Sequence, residues 1–149
     1  MLTASQVYTH SRLLLDAYAG IMRPLSAELN MAQTAVDILM FLANNPEQNR
    51  AADIVRGRGM SKGHVSLSLR SLEDRGLVAC QADGADRRAV HLALTDGAGE
   101  IAEDGRAAQR EFIRRLREGI TPEESAVILS VTRKMGDNIR AMERERGSI

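Results

Sequence analysis

The stretch from Met60 to Thr95 limits what this chain can become. It opens on Ser61, whose hydroxyl can accept the N–H of a first helical turn. Val65, Leu69 and Leu72 then recur at helical spacing as far as Gly76, where a glycine can take the left-handed conformation that closes a helix. After Gly76 the apolar period changes from helical to alternating. Leu77–Gln81 and Ala89–Leu94 are expected as two strands, with Asp83-Gly84 a turn dipeptide in the loop between them. A helix running straight into a hairpin is a small module that needs other elements to bury it.

The flanking sequence supplies helices. Thr3-Ala4-Ser5-Gln6 has the form of a capping box, and Val7, Leu14, Tyr18, Ile21 and Leu25 continue one apolar seam to about Leu29. Leu15, Met22 and Leu29 add a second stripe, so this helix is expected to face two neighbours. Pro24 is expected to kink or split it near Met22–Arg23. Asn30 is expected to cap a second helix ending at Asn44-Asn45-Pro46. A third, short helix is expected from about Asn49 to Gly57–Gly59, with Ala52 and Val55 inward. Thr95 is expected to cap a fifth helix reaching about Glu118, along a face of Ala98, Ile101, Gly105, Ala108, Phe112 and Leu116. Its glycines make the first turn weak, and its small residues admit a close neighbour. Thr121-Pro122-Glu123-Glu124 is a strong start signal for the last helix, whose apolar positions are Ile128, Val131, Met135, Ile139 and Met142.

The expected fold is therefore mainly α with a small β-hairpin wing. A central lobe at 30–95 is expected within a single domain of 149 residues, with residues 1–29 and 96–149 as dimerisation helices. The long terminal helices carry more apolar surface than one chain of this size easily buries, and pairing with a second copy removes that surface from water.

Composition narrows the function. No apolar run is long enough for a membrane span, the N-terminus lacks the pattern of a signal peptide, and the lone Cys80 permits no internal disulfide. A cytoplasmic location follows as an expectation, with Cys80 a small structural residue in a wing strand. His10, His64 and His91 lack the paired spacing of a zinc site. Gly57-x-Gly59 lacks the further glycine of a phosphate loop. No Gly-x-Ser-x-Gly is present. No catalysis, metal or cofactor is expected.

Net charge is zero, but seven Lys/Arg against four acids between Arg56 and Leu94 leave that segment at +3 and the remainder at −3. A short helix, a glycine-containing turn and a second helix form a helix-turn-helix signature, whose second helix enters the major groove of double-stranded DNA. Ser61 and Lys62, with Gly63 at the same helix start, suit a phosphate. His64 and Ser66 suit base edges. Leu67, off the buried face, could meet a thymine methyl or pack under a neighbour, and Arg70 lies on the same helix. At the hairpin tip Asp86, Arg87 and Arg88 suit the minor groove, where negative potential is focused. There Asp86 can hold a guanidinium in place.

Gly59-Met60-Ser61-Lys62, Val65-Ser66, Leu72-Glu73-Asp74-Arg75-Gly76-Leu77-Val78 and Asp86-Arg87-Arg88-Ala89-Val90-His91-Leu92-Ala93-Leu94-Thr95 together resemble the MarR family of bacterial transcription regulators. The resemblance extends, less specifically, over the whole helix order. It implies a winged helix-turn-helix homodimer on a pseudo-palindromic operator, with recognition helices in successive major grooves and wing arginines in the flanking minor grooves. Arg88 matches the family's wing arginine and Asp86 its partner acid. Arg58 stands where the family usually has an apolar residue. Leu67-Ser68 replaces a pair that is often basic then apolar, so this recognition helix is less basic than usual.

The resemblance also implies a small phenolic or lipophilic effector in a cleft between the dimer helices and the DNA-binding lobe. Tyr8, His10, Arg12, Tyr18 and Met22 on the first helix are the candidates to line it. The expected function is a ligand-responsive repressor. The alternative is a winged-helix dimer serving as a protein-interaction scaffold with weak DNA binding.

Overall fold

The structure is a computed structural model that describes residues 3–82 and 90–146. Six α-helices and one hairpin make up this part of the chain: α1 (Ala4–Glu28), α2 (Gln33–Asn44), α3 (Ala51–Arg58), α4 (Lys62–Asp74), β1 (Val78–Ala82), β2 (Val90–Leu94), α5 (Gly99–Leu116) and α6 (Pro122–Arg146). Packing divides the chain into two compact units, residues 1–112 and 113–149. Among the described residues no helix is long and apolar enough to cross a membrane.

In the first unit α2 is the centre. Ala35, Val36, Ile38, Leu39, Met40, Phe41 and Leu42 are all buried, because α1, α3, α4, β2 and α5 surround this helix. Val65, Leu69 and Leu72 of α4 join the same core, with Leu92 of β2 and Ala98 and Ala102 beside α5. Two glycines allow the closest approaches. A Cβ at Gly57 would run into Cε2 of Phe41, and one at Gly105 would run into Sδ of Met40. The small residue expected on α5 thus does admit a neighbour, and that neighbour is α2.

The first helix begins with the expected capping box between Thr3 and Gln6. Of the two outcomes expected at Pro24, a split does not occur: the helix runs unbroken to Glu28. A proline removes one main-chain donor, while Met22, Leu25 and Ser26 on either side of it are buried and hold the helix in place. Asn30 does not cap α2 either. Its φ of 46° closes α1 instead: Asn30 N–H donates to Ala27 O, and Met31 N–H to Ser26 O at 2.9 Å, a Schellman ending. The residue before α2 is Ala32, which offers no side-chain cap. Along α3 the inward residues are Ile54, fully buried, and Val55, half-buried against the core as expected, while Ala52 is exposed because the larger Ile54 takes the place against the core.

Gly76, at φ 68°, closes α4 in the same way. Its N–H donates to Glu73 O, and Leu77 N–H donates to Leu72 O. The hairpin is antiparallel with Cys80 opposite Leu92. Thr95 does not cap a regular helix: residues Asp96–Ala98 form a 3-10 turn before α5, as the glycines there allow, and the Thr95 hydroxyl donates to Gly76 O at 2.5 Å. Leu116, placed on the apolar face of α5 from sequence, is about half exposed.

In the second unit Thr121 and Glu124 form the expected reciprocal cap, with Thr121 N–H to Glu124 Oε2 at 2.9 Å and Glu124 N–H to Thr121 Oγ1 at 3.2 Å. No residue of α6 is buried. Ile128, Val131, Met135, Ile139 and Met142 all lie exposed along it.

Candidate nucleic-acid interface

The helix α4 separates its faces cleanly. Val65, Ser68, Leu69 and Leu72 point into the lobe, while Ser61, Lys62, Gly63, His64, Ser66, Leu67 and Arg70 are all exposed. Ser61 Oγ accepts the His64 N–H at 3.2 Å, which satisfies one free donor of the first turn. The others point outward with the positive end of the helix dipole. Leu67 is 69% exposed, the largest apolar side chain on this face. Among the described residues, Lys62 and Arg70 have no acidic partner within the chain. They stand free for an external anion.

The turn before α4 is fixed by Gly59 at φ 63°, which donates to Val55 O. Arg58, which departs from the family pattern there, lies over the Phe41 ring with its guanidinium carbon 5.2 Å from the centroid. The pair is a cation stacked on an aromatic face. Asp37, nearby on α2, has its carboxyl pushed above the ordinary range by burial, against the opposing pull of Gln33 and of Arg58's charge.

Between α3, α4 and the strands lies a cleft of about 600 Å³. Val55, Val65, Leu69 and Leu92 give it an apolar lining, and Arg56, Lys62, Arg70, Glu73 and Cys80 also border it. Arg56 is held by Asp53 at 2.5 Å. Burial acts to raise the Asp53 carboxyl, but its bonds to Arg56 and to the Arg50 N–H prevail and hold it below its usual value. Cys80, expected as a structural residue, is exposed. Its thiol donates to Glu73 Oε1 at 2.5 Å, so β1 is tied to the end of α4 through a polar contact rather than through packing. That bond, burial and the charge of Glu73, in that order, push the thiol up to about 11.

The wing is anchored at its base by contacts the sequence does not advertise. Leu92 N–H donates to Asn49 O at 2.8 Å, and His91 Nδ1 lies 2.7 Å from Asn49 Oδ1. The loop before α3 therefore holds β2 in place. Asp86, Arg87 and Arg88, the candidate wing contacts, lie outside the described residues.

Residues 29–89, the span from the end of α1 into the wing, match the profile of the MarR family. That match makes the span similar to MarR-family regulators. It is 23% identical over 113 residues to the uncharacterized HTH-type transcriptional regulator YdgJ of Bacillus subtilis strain 168, covering 76% of this chain and 68% of YdgJ. The transcriptional regulator PA3341 has the same fold with a TM-score of 0.79 and 26% identity, over 92% of this chain and 97% of that one. BpsR of Bordetella bronchiseptica gives a TM-score of 0.68 at 20% identity, again over 92% of this chain and 97% of its own. The match and these neighbours support a DNA-binding role in transcription regulation for this winged helix-turn-helix.

The candidate effector residues differ in exposure along α1. Met22 is wholly buried in the core. Tyr18 is half-buried, its hydroxyl accepting from Gln109 Nε2 at 2.6 Å and its ring edge-on to Phe112 at 5.5 Å. Tyr8, His10 and Arg12 are exposed. His10 Nδ1 meets Gln6 O, and Arg12 pairs with Asp16. Among the described residues, no three of His, Cys, Asp and Glu cluster closely enough to hold a metal ion.

Proposed function

We propose that this chain is a cytoplasmic, ligand-responsive repressor that binds a pseudo-palindromic operator as a homodimer. The carrying observation is α4: one face is locked into the lobe and the other presents Ser61, Lys62, Gly63, His64, Ser66, Leu67 and Arg70 to solvent. In this reading Ser61, Lys62 and Gly63 receive phosphate at the helix start, and His64, Ser66 and Leu67 meet base edges. Arg70 supports them from the next turn, while Arg87 and Arg88, steadied by Asp86, enter the minor groove. The exposed apolar stripe of α6 and the exposed Val7, Leu14 and Leu15 of α1 support pairing with a second copy. A dimer would place its two recognition helices about 34–36 Å apart, or at a multiple of that distance.

Ligand response is supported by kinship of fold. The BpsR structure concerns regulation of DNA binding by 6-hydroxynicotinic acid. For this chain a small phenolic or lipophilic effector near Tyr8, His10, Arg12, Tyr18 and Met22 is the corresponding reading, with Tyr18 the member that already faces a neighbouring helix.

The test is a salt-dependent mobility-shift assay on the DNA upstream of the chain's own gene. Binding should fall steeply with salt, and Arg88→Ala should cost roughly 1–3 kcal/mol of operator affinity with thermal stability nearly intact. A confirmed dimer that binds no DNA at low salt would sink this function.

A further inference from the structure

The closing turn of α1 carries an electrostatic defect. A helix C-terminus leaves carbonyls without intrahelical donors and bears partial negative charge, which a nearby cation relieves. The last turn of α1 contains no basic residue, and its Schellman ending satisfies only the carbonyls further back. The missing cation comes from the far end of the recognition helix. Arg75, the residue that ends α4, donates from Nη1 to Leu29 O at 2.9 Å and from Nη2 to Asn30 O at 2.7 Å. Both arms of one planar fork are engaged, so the guanidinium fixes direction as well as distance. A second bond pins α4 to the same junction, from Ser68 Oγ to Thr34 Oγ1 at 3.2 Å.

We propose that Arg75 is a positioning residue for DNA reading, which sets the attitude of α4 by clamping its end to the α1–α2 junction. The proposal rests on the DNA-binding function above and goes beyond it, because Arg75 itself touches no base. It lies at the opposite end of a 13-residue helix from Ser61 and Lys62, about 20 Å away at the usual rise per residue. One donor from each arm of its fork is committed to a protein carbonyl. The clamp ties the reading helix directly to α1, so the end of α1 and the reading face move as one piece.

The test uses the full-length protein and two duplexes of equal length, one recovered by the wild type from a random-sequence library and one scrambled. Fluorescence anisotropy across a salt series gives Kd and its salt slope, and circular-dichroism melts give the temperature range in which each variant is folded. Arg75→Ala and Arg75→Lys should both raise Kd for the recovered duplex roughly 3- to 30-fold, with scrambled-duplex binding within about twofold and the salt slope unchanged. A lysine keeps the charge but loses the fork, so near-wild-type behaviour of Arg75→Lys, with both duplexes weakened and a slope lower by about one in Arg75→Ala, would make Arg75 a phosphate ligand and overturn the proposal. Unchanged binding by both variants would also overturn it, as would failure of both variants to fold, since Arg75 would then be a folding residue. If the wild type recovers no preferred duplex, the DNA-reading function itself fails, and that outcome is distinct from any of these.

Discussion

The Cys80–Glu73 pair shows how one hydrogen bond decides a residue's chemistry. A thiolate, not a thiol, is the nucleophile, and the hydrogen bond to Glu73 keeps the proton on sulfur until the pH approaches about 11. Cys80 should therefore alkylate slowly at pH 8 despite its exposure. Glu73→Gln removes the charged acceptor, and iodoacetamide labelling at pH 8 should then accelerate at least about tenfold as the thiol returns toward its ordinary range. Equal rates in the two proteins would refute the hydrogen bond. The linkage to stability has a definite sign. The folded-state value lies above the unfolded one, so this contribution is complete below about pH 9 and is lost as the pH rises toward about 11.

At the scale of elements, α3 and α5 both reach α2 through a glycine, but the two contacts differ in what they can tolerate. A methyl at Gly57 meets three atoms of the Phe41 ring, Cζ at 3.0 Å, Cδ2 at 3.4 Å and Cε2 nearer than either, and a buried ring can only shift as a whole. A methyl at Gly105 meets the Met40 thioether, which has other rotamers to adopt. Alanine in place of glycine gains about 1 kcal/mol in helix propensity, against about 1–3 kcal/mol for overpacking a filled core. Gly57→Ala should thus destabilise the protein by up to about 2 kcal/mol, and Gly105→Ala by less. Denaturant midpoints of the two variants check the order, and Phe41→Leu should restore much of the loss in Gly57→Ala.

The same scale shows what the sequence makes legible. The caps of α1, α4 and α6 and the buried face of α4 follow from residues three or four positions apart, so local chemistry announces them. Pro24 does not end the helix because its local cost is outweighed by burial of Met22 and Leu25 in the core. Asn30 misleads because the same residue type suits both the start of a helix and the left-handed end of one. The Arg75 clamp joins positions 46 and 45 residues apart, and the Asn49–His91 bond spans 42. No periodicity connects such partners. The one readable hint is the absence of a cation in the last turn of α1. Of the site, the exposed first turn of α4 is legible, whereas the tie from Cys80 to Glu73 is not, since a cysteine in a strand more often packs.

For the whole molecule, the exposed apolar stripe on α6 matters most. Burying a Val, Ile or Met side chain is worth about 1.5–3 kcal/mol, so covering Ile128, Val131, Met135, Ile139 and Met142 together is worth several times a single surface ion pair. If a second copy covers them, the melting temperature should rise with protein concentration, as mass action requires. Met135→Asp and Ile139→Asp should convert the dimer to monomer in sedimentation velocity. A concentration-independent melt of a wild-type monomer would exclude the dimer.

The division of faces on α4 has a consequence for how such a protein diverges. The side chains that hold the helix in the lobe, Val65, Ser68, Leu69 and Leu72, share no position with those offered outward. His64, Ser66, Leu67 and Arg70 can therefore be exchanged with little effect on folding stability, since exposed substitutions away from caps and cores typically change it by no more than about 0.5 kcal/mol. A duplicated copy of this gene could acquire a new binding sequence through a few substitutions, each passing through a folded intermediate, while the scaffold stays as it is.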